Sequence, residues 1–494
     1  MRLRRSYRPS RNSLLLAGNG AAMRKGIAMV VAVWFFAGAS LQAGPRNILW
    51  IYVDDMSDWM GCYGHDAVPT PHIDALAEEG VLFERAYMPS PVCSTTRSAL
   101  ITGTIQTTFG LHQHRTMIKL PLPKEVLTVP ELFREAGYTT FNESKDDYNF
   151  LRDRELLYSG DFARTSWKGH MLGREVGWLD QLKKRTPFFG QIQLKGGKFE
   201  GETGQKYPMP SRVSAEEVSV PPYYPDDEVI RNAIARHYEQ VVEADEQVGA
   251  ITAALQEHGL WETTVIFFFT DHGSPLPRSK QFLYEEGLKV PLIVRGPGIP
   301  GGERRSDLVS GIDISTTSLS LAGIPIPSFM EGRALFAPDH EPRDYVISAR
   351  DRCGIAVDRI RTVRTERFRY LRNYQTDRAF YQAQYRDRHA SIIRLRALYA
   401  EGKLTDLQAA YHEAEQRPRE ELYDLENDPD QVVNLAGNPE YASVLEDHQT
   451  MLADWATQTG DQGSQPESME SLRLVYDGAK GKVEAPEFDP FRQE

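Results

Sequence analysis

Cysteine is the scarcest informative residue in this chain: there are three in 494 residues, at 62, 93 and 353. Three are too few for a disulfide framework, so the fold must rest on a hydrophobic core. Cys62 and Cys353 are free to pair, which leaves Cys93 single and a candidate for chemistry. Positive charge is also in short supply: the net charge of -12 excludes general binding to nucleic acid or acidic membranes. An anionic ligand would therefore need a local concentration of Lys and Arg. No internal repeat is visible. A membrane anchor is the competing reading of the apolar N-terminal run, and it would need a longer apolar span.

The longest uncharged stretch is Gly26–Pro45, centred on "IAMVVAVWFFAGA", preceded by Arg24 and Lys25 and followed by small residues. That is the layout of a secretory signal peptide, with Met23 as an alternative start. No cysteine sits at the end of the run, which argues against a lipoprotein anchor. The expectation is a signal region over 1–45 and an exported protein, periplasmic or extracellular. With 41% hydrophobic and 26% charged residues, the remainder suits one large domain and a smaller one.

"NILWIYVDD" (47–55), "PFFGQIQL" (187–194), "TTVIFFFTDHG" (263–273) and "VPLIVRGPG" (290–298) are continuous apolar runs, as in parallel strands buried on both faces. Helical patterns lie between them. "TPHIDALAEEG" has Thr70 at the N-cap, Pro71 in the first turn and Gly80 as a stop. "TVPELFREAGY" ends at Gly137 in the same way, and Glu228–Leu260 is amphipathic at helical spacing. The alternation predicts an α/β sandwich with a mostly parallel central sheet over 46–343. Over 344–460 a smaller α+β domain is expected, with 358–374 as an antiparallel hairpin wetted on its arginine-rich face. Beyond 460 the chain reads as a polar tail.

Two buried strands end in carboxylates, Asp54-Asp55 and Asp271, the latter followed by His272. Sites in open α/β sheets form at the carboxyl ends of strands. Three carboxylates there need a cation, and hard oxygen ligands point to Ca2+ or Mg2+. The competing reading is that each Asp caps the next turn. His272 either joins the ligands or orients Asp271. Cys93 opens "CSTTRSALITG", a predicted helix whose N-terminus lowers a thiol pKa and attracts anions, with Arg97 one turn on. These residues alone leave Cys93 as a nucleophile or as a buried structural cysteine.

The segment Cys93-Ser94-Thr95-Thr96-Arg97 with Leu100-Ile101-Thr102-Gly103 resembles the signature of type I sulfatases, Cys-x-Pro-Ser-Arg followed by Leu-Thr-Gly. "YVDDMSDWMGCYG", "FFTDHGSPLPRSKQFLYEEG", "VPLIVRGPG" and "ELYDLENDPDQVVNLA" match in the right order, so the resemblance runs from about 46 to 460. It implies an alkaline-phosphatase-like fold. It also implies a cysteine oxidised to formylglycine by a maturation enzyme, with a hydrate that attacks sulfur. Carried over by position, Asp54, Asp55, Asp271, His272 and the residue made from Cys93 would hold calcium. Arg97, Lys145 and Lys280 would contact formylglycine or sulfate. Two positions depart from the pattern: Asp147 and Lys198 stand where the family usually has histidines. Asp147 would accept a proton from the diol. Either Lys198 protonates the leaving group, or it clamps sulfate while His112 or His114 moves the proton. Thr95 replaces the proline or alanine that maturation enzymes usually read.

Within the family, "GLHQ" (110–113), "VPPYYPDDEV" (220–229), "SPLPRSKQFLYEEG" (274–287) and "LADWATQTGD" (452–461) are similar to N-sulfoglucosamine sulfohydrolases, the heparan N-sulfatases. The implied substrate is a sulfated carbohydrate, with His112, Arg350 and Arg352 as sugar contacts. The rival readings are a phosphatase or phosphonate hydrolase of the same superfamily, and a non-catalytic glycan-binding relative.

Overall fold

The computed structural model describes residues 44–143, 145–160, 182–194, 196–197 and 212–492. The predicted signal region up to residue 43 and Lys198 lie outside them. Seven strands form the central sheet in the order β4-β6-β1-β7-β8-β2-β9. Their ranges are β1 Asn47–Val53, β2 Val81–Tyr87, β4 Thr139–Asn142, β6 Phe188–Leu194, β7 Thr264–Thr270, β8 Lys289–Arg295 and β9 Glu303–Ser310. β3 (Leu120–Pro121) and β5 (Phe150–Leu151) form a separate two-residue ladder.

β1 pairs in parallel with both β6 and β7, and β4 pairs in parallel with β6. All seven residues of β1 are buried, because its pleat feeds two cores. Leu49, Ile51 and Val53 face one core with the 30-residue helix Glu228–Glu257; Ile48, Trp50 and Tyr52 face the other, with Leu100, Val129 and Phe133. The predicted helices appear as α1 (Pro71–Glu78), α2 (Cys93–Thr102) and α3 (Val129–Glu135), and Thr128 with Glu131 closes a capping box on α3. β8 departs from a parallel arrangement: it runs antiparallel to both β7 and β2. The connection from β7 spans residues 271–288 and carries only the short helix Glu285–Leu288, so the chain turns straight back instead of crossing over.

The second sheet, β10 (Tyr345–Arg350), β11 (Ile360–Thr365), β12 (Phe368–Asn373) and β13 (Glu420–Asp424), is antiparallel throughout. Its hairpin lacks the expected wet face. Arg361 and Arg369 are 0% exposed and Arg364 is 5% exposed. Each is buried with a carboxylate: Arg361 with Asp461 and Asp351, Arg364 and Arg369 with Glu285. Alternating arginine marks buried ion pairs here, because acidic residues from other segments cover that face. The tail also folds. Leu472, Val475, Val483, Ala485 and Phe488 form a small core against Ile355 and Val357. No disulfide joins Cys62 to Cys353; all three cysteines are free thiols. Cys353 instead meets His114. No helix among the described residues is long and apolar enough to cross a membrane.

Removing Arg361 strands two buried carboxylates, a loss of about 3–5 kcal/mol for a broken buried pair. Arg361→Ala is expected to lower the apparent Tm by several degrees, and Lys403→Ala at the surface to leave it unmoved. Equal effects of the two substitutions would contradict the buried role of the arginine.

Candidate active site and metal cluster

The register Val53↔Thr270 sets the ends of β1 and β7 side by side. Asp54 and Asp55 therefore emerge beside Asp271 and His272, all of them buried. The turn is tight: Asp55 adopts a positive φ of 54°, its N–H donates to Asp271 Oδ1 at 3.1 Å, and Asp271 N–H donates to the Val53 carbonyl at 3.0 Å. Gly196 and Gly197 lie against the backbone of Asp54 and Asp55, where an added Cβ would meet carbonyl oxygens at 2.2 and 2.0 Å.

Cys93 is the first residue of α2, whose N-cap Val92 offers no side-chain acceptor, so the terminal N–H groups keep their partial positive charge for the site. The loop before it is tied down twice. Thr95 Oγ1 donates to Ser90 Oγ at 2.6 Å, and Thr96 Oγ1 donates to the Ser90 carbonyl at 2.6 Å. Cys93 Sγ lies 3.3 Å from His272 Nε2, 3.4 Å from Lys280 Nζ and 3.5 Å from Asp55 Oδ1.

Donor atoms of Asp55, Cys93, Asp271 and His272 lie within 4.8 Å of one another, with every residue buried. Hard carboxylate oxygens with one imidazole make a set that can hold a divalent cation. In the protein alone their charge is met by side chains. Lys280 Nζ donates to Asp55 Oδ2 at 2.6 Å and Lys145 Nζ to Asp54 Oδ1 at 3.3 Å. Burial works against ionisation of Asp55, but Lys280 and His272 outweigh it and hold the carboxyl well below its usual range. Burial likewise opposes the imidazolium of His272, yet Asp271 pushes its pKa up to about 9. Burial raises the Cys93 thiol, while Lys145 and Lys280 bring it below its ordinary value.

Arg97 is placed differently from a free anion clamp. Its Nε and Nη2 donate to Asp271 Oδ2 at 3.2 and 3.0 Å. Nη2 also donates to Asp54 Oδ1, and Nη1 donates to Tyr52 Oη at 2.8 Å and Gln193 Oε1 at 2.7 Å. All five N–H groups are engaged, so the guanidinium positions the carboxylates. Tyr52 and Gln193 are site residues that motif reading misses. Their signal is a polar group inside an otherwise apolar strand, as in "FFGQIQL".

Asp147 pairs with Lys145 at 3.3 Å and bidentately with Arg115, also missed, at 3.0 Å. Burial raises its pKa, but Lys145 and Arg115 outweigh burial and hold it far below the usual carboxylate range, which makes it a weak base. His114, with Cys93 and Asp147, forms a second buried group whose polar atoms lie within 4.8 Å. Its Nδ1 meets Cys353 Sγ at 3.3 Å, and its Nε2 is buried without a hydrogen-bond partner among the described residues.

His112 belongs to neither group and sits among the charges of Asp351, Arg361, Asp461 and Glu467. Arg352 is buried and bound bidentately to Glu467. Arg350 stands at the end of β10. A cavity of about 700 Å³, lined by Trp59, Tyr223, Arg278, Glu285 and Lys289 among others, holds none of the clustered residues.

Residues 46–324 match the Sulfatase family profile, and residues 278–420 match the profile described as N-sulphoglucosamine sulphohydrolase, C-terminal. An ulvan-active sulfatase of Formosa agariphila is 32% identical over 468 residues, covering 88% of this chain and 78% of that protein. Human N-sulphoglucosamine sulphohydrolase is 29% identical over 470 residues, covering 85% and 91%. Among solved structures, a 2-O GAG sulfatase superposes with a TM-score of 0.61 at 20% identity, covering 86% of this chain and 94% of that one. The phosphonate monoester hydrolase of Agrobacterium radiobacter superposes with a TM-score of 0.63 at 19% identity, covering 84% and 96%. The architecture is thus that of the alkaline-phosphatase-like sulfatases.

If the four-residue cluster binds a divalent cation, adding one to metal-stripped protein raises the apparent Tm by mass action. Asp271→Asn is expected to abolish most of that rise. An equal rise in the variant would contradict the cluster as the metal site.

Proposed function

This chain belongs to the sulfatase family and is a sulfuric ester hydrolase; we propose that it hydrolyses sulfate esters or sulfamates of a sulfated carbohydrate, with residue 93 acting after oxidation to formylglycine. The observation that carries this reading is the place of Cys93. It stands at an uncapped helix N-terminus, within 3.5 Å of Asp55, His272 and Lys280. The substrate class rests on relatives named for ulvan and for N-sulphoglucosamine. Cys93 is 1% exposed, and Thr95 and Thr96 are fully buried. A maturation enzyme would therefore act on the chain before it folds. The apolar segment at 26–45 fits export to the periplasm or beyond, where sulfated polymers are met.

Ca2+, held by Asp54, Asp55, Asp271, His272 and residue 93, would supply Lewis-acid polarisation when bound, with Mg2+ as the alternative. The protein's own groups do the rest. Asp54, Asp55, Asp147 and Asp271 are matched by Arg97, Arg115, Lys145 and Lys280. With a divalent cation held and His272 neutral as its ligand, these groups would leave the site net positive, which suits an anionic sulfate. Lys145 and Lys280 flank Cys93 and present ammonium groups to sulfuryl oxygens. Arg97 is a positioning residue, holding Asp54 and Asp271 at the strand ends.

For proton transfer, the geometry favours His114 over His112. His114 is grouped with Cys93 and Asp147 and its buried Nε2 has no hydrogen-bond partner among the described residues, whereas the carboxylate of Asp147 is too strongly stabilised to take a proton readily. Lys198 lies outside the described residues, and its proposed role is either general acid or sulfate clamp.

An aryl sulfate and an aryl phosphate measured side by side test the reaction class. Sulfate is expected to be cleaved much faster, and Cys93→Ala to remove the activity. A clear preference for phosphate would sink the sulfatase assignment, and no turnover of either by matured protein would favour a glycan-binding relative.

The role of His114 has its own signature. General acid help is worth about 10²–10⁴-fold, and most for poor leaving groups. His114→Asn should therefore slow a sugar sulfate at least tenfold more than a nitrophenyl sulfate. Equal losses on both would exclude His114 as the proton donor.

A further inference from the structure

Beside the second sheet two buried arginines, Arg350 and Arg417, pair with the same carboxylate, Asp358. Arg350 is 2% exposed, yet its Nε and Nη1 have no hydrogen-bond partner among the described residues. Its nearest counter-charge is Asp358 Oδ2, 3.5 Å from Nη1. Arg417, 4% exposed, donates Nη2 to Asp358 Oδ1 at 2.8 Å and Asn373 Oδ1 at 3.4 Å, but its Nε and Nη1 are also buried without partners. Asp358 is already occupied. Besides Arg417 it accepts from the Arg359 N–H at 2.9 Å and Gln382 Nε2 at 3.1 Å.

Arg386, 1% exposed and close enough to repel Arg350, adds a third cation. It is bound to Gln384 and to the carbonyls of Pro275, Leu276 and Lys280, with no carboxylate. Arg350 and Arg417 thus share the carboxylate of Asp358 as their one direct ion-pair partner among the described residues, with Asp377 a further charge near Arg417. The nearby thiol of Cys353 has its own partner in His114.

Arginine cannot shed its charge inside a protein. An uncompensated buried charge and several unmade N–H bonds are each destabilising. The ring of Phe380 lies 4.6 Å from the Arg417 guanidinium carbon and that of Phe282 lies 5.8 Å from that of Arg350. These apolar walls raise the cost of the excess charge. One small anion between the two guanidiniums would satisfy the stranded N–H groups and reduce the charge excess together.

We propose that Arg350 and Arg417, on either side of Asp358, form a buried site for one small inorganic anion, separate from the reacting centre. Its setting links it to the reacting centre: Arg386, whose repulsion of Arg350 the anion would offset, donates to the carbonyl of Lys280. The anion is either a halide from the medium or sulfate released by turnover, and the two sources are separable.

The full-length protein, freed of small anions, is titrated with bromide or with sulfate while sodium gluconate holds ionic strength constant. The site predicts a saturable rise in Tm of about 2 °C or more. It also predicts an anomalous bromide peak, or sulfate density, between the two guanidiniums in crystals grown with that anion. Arg350→Met and Arg417→Met should lose the rise. If either variant fails to fold, the wild-type titration and density still decide. Bromide at the site assigns the halide, and sulfate alone assigns the released oxyanion. No saturable shift with either salt, or a water between the guanidiniums, overturns the proposal. None of these readouts depends on sulfatase turnover.

Discussion

The parallel pairing of β1 with β7 is the constraint on which the site depends. Both strands are buried along their whole length, so their register is held by two cores at once, and a slip would expose an entire face. Their ends then force Asp54, Asp55 and Asp271 into one buried volume. Carboxylates that close cannot remain ionised without cations. Arg97 supplies one, reaching from α2 with every N–H engaged, and so ties the helix that begins at Cys93 to the sheet. Lys145 and Lys280 supply the others from separate loops. The site is assembled by electrostatic necessity as much as by packing.

The second sheet supports this arrangement from behind. The backbone N–H of Ala349 donates to the Pro89 carbonyl and Ser348 Oγ donates to the Met88 carbonyl, which secures the turn before Cys93. Glu285, at the end of the loop that carries Lys280, is locked by Arg364 and Arg369 from the hairpin. The arginines of that hairpin therefore act on the active centre indirectly, by fixing the loop between β7 and β8.

Much of this was legible in the order of residues. Continuous apolar runs ended by Asp are readable because burial on both faces leaves no alternation, and a carboxylate at such an end has few other reasons to be there. The direction of β8 was not readable, since an apolar run carries no sign of polarity along the sheet. The hairpin arginines read as wet because alternation reports only which face is polar. Whether water or Glu285 and Asp461 covers that face is decided by segments tens of residues away. The tail beyond 460 has too few apolar residues for a visible period, yet Phe488 and Val475 suffice for a small core. His114 and Cys353 are 239 positions apart, and nothing local marks them as partners. The motif marks Arg97, but its full occupation by acceptors appears only in three dimensions.

The central claim is that Cys93 is a precursor and not the working group. Thr95 sharpens it, because that side chain serves the fold by bonding Ser90 while standing where maturation enzymes usually read proline or alanine. The direct measurement is mass spectrometry of the peptide containing residue 93, from protein made in its native host. The account predicts that the thiol is replaced by an aldehyde or its hydrate in the active fraction. An intact cysteine thiol in protein that turns over sulfate esters would contradict it.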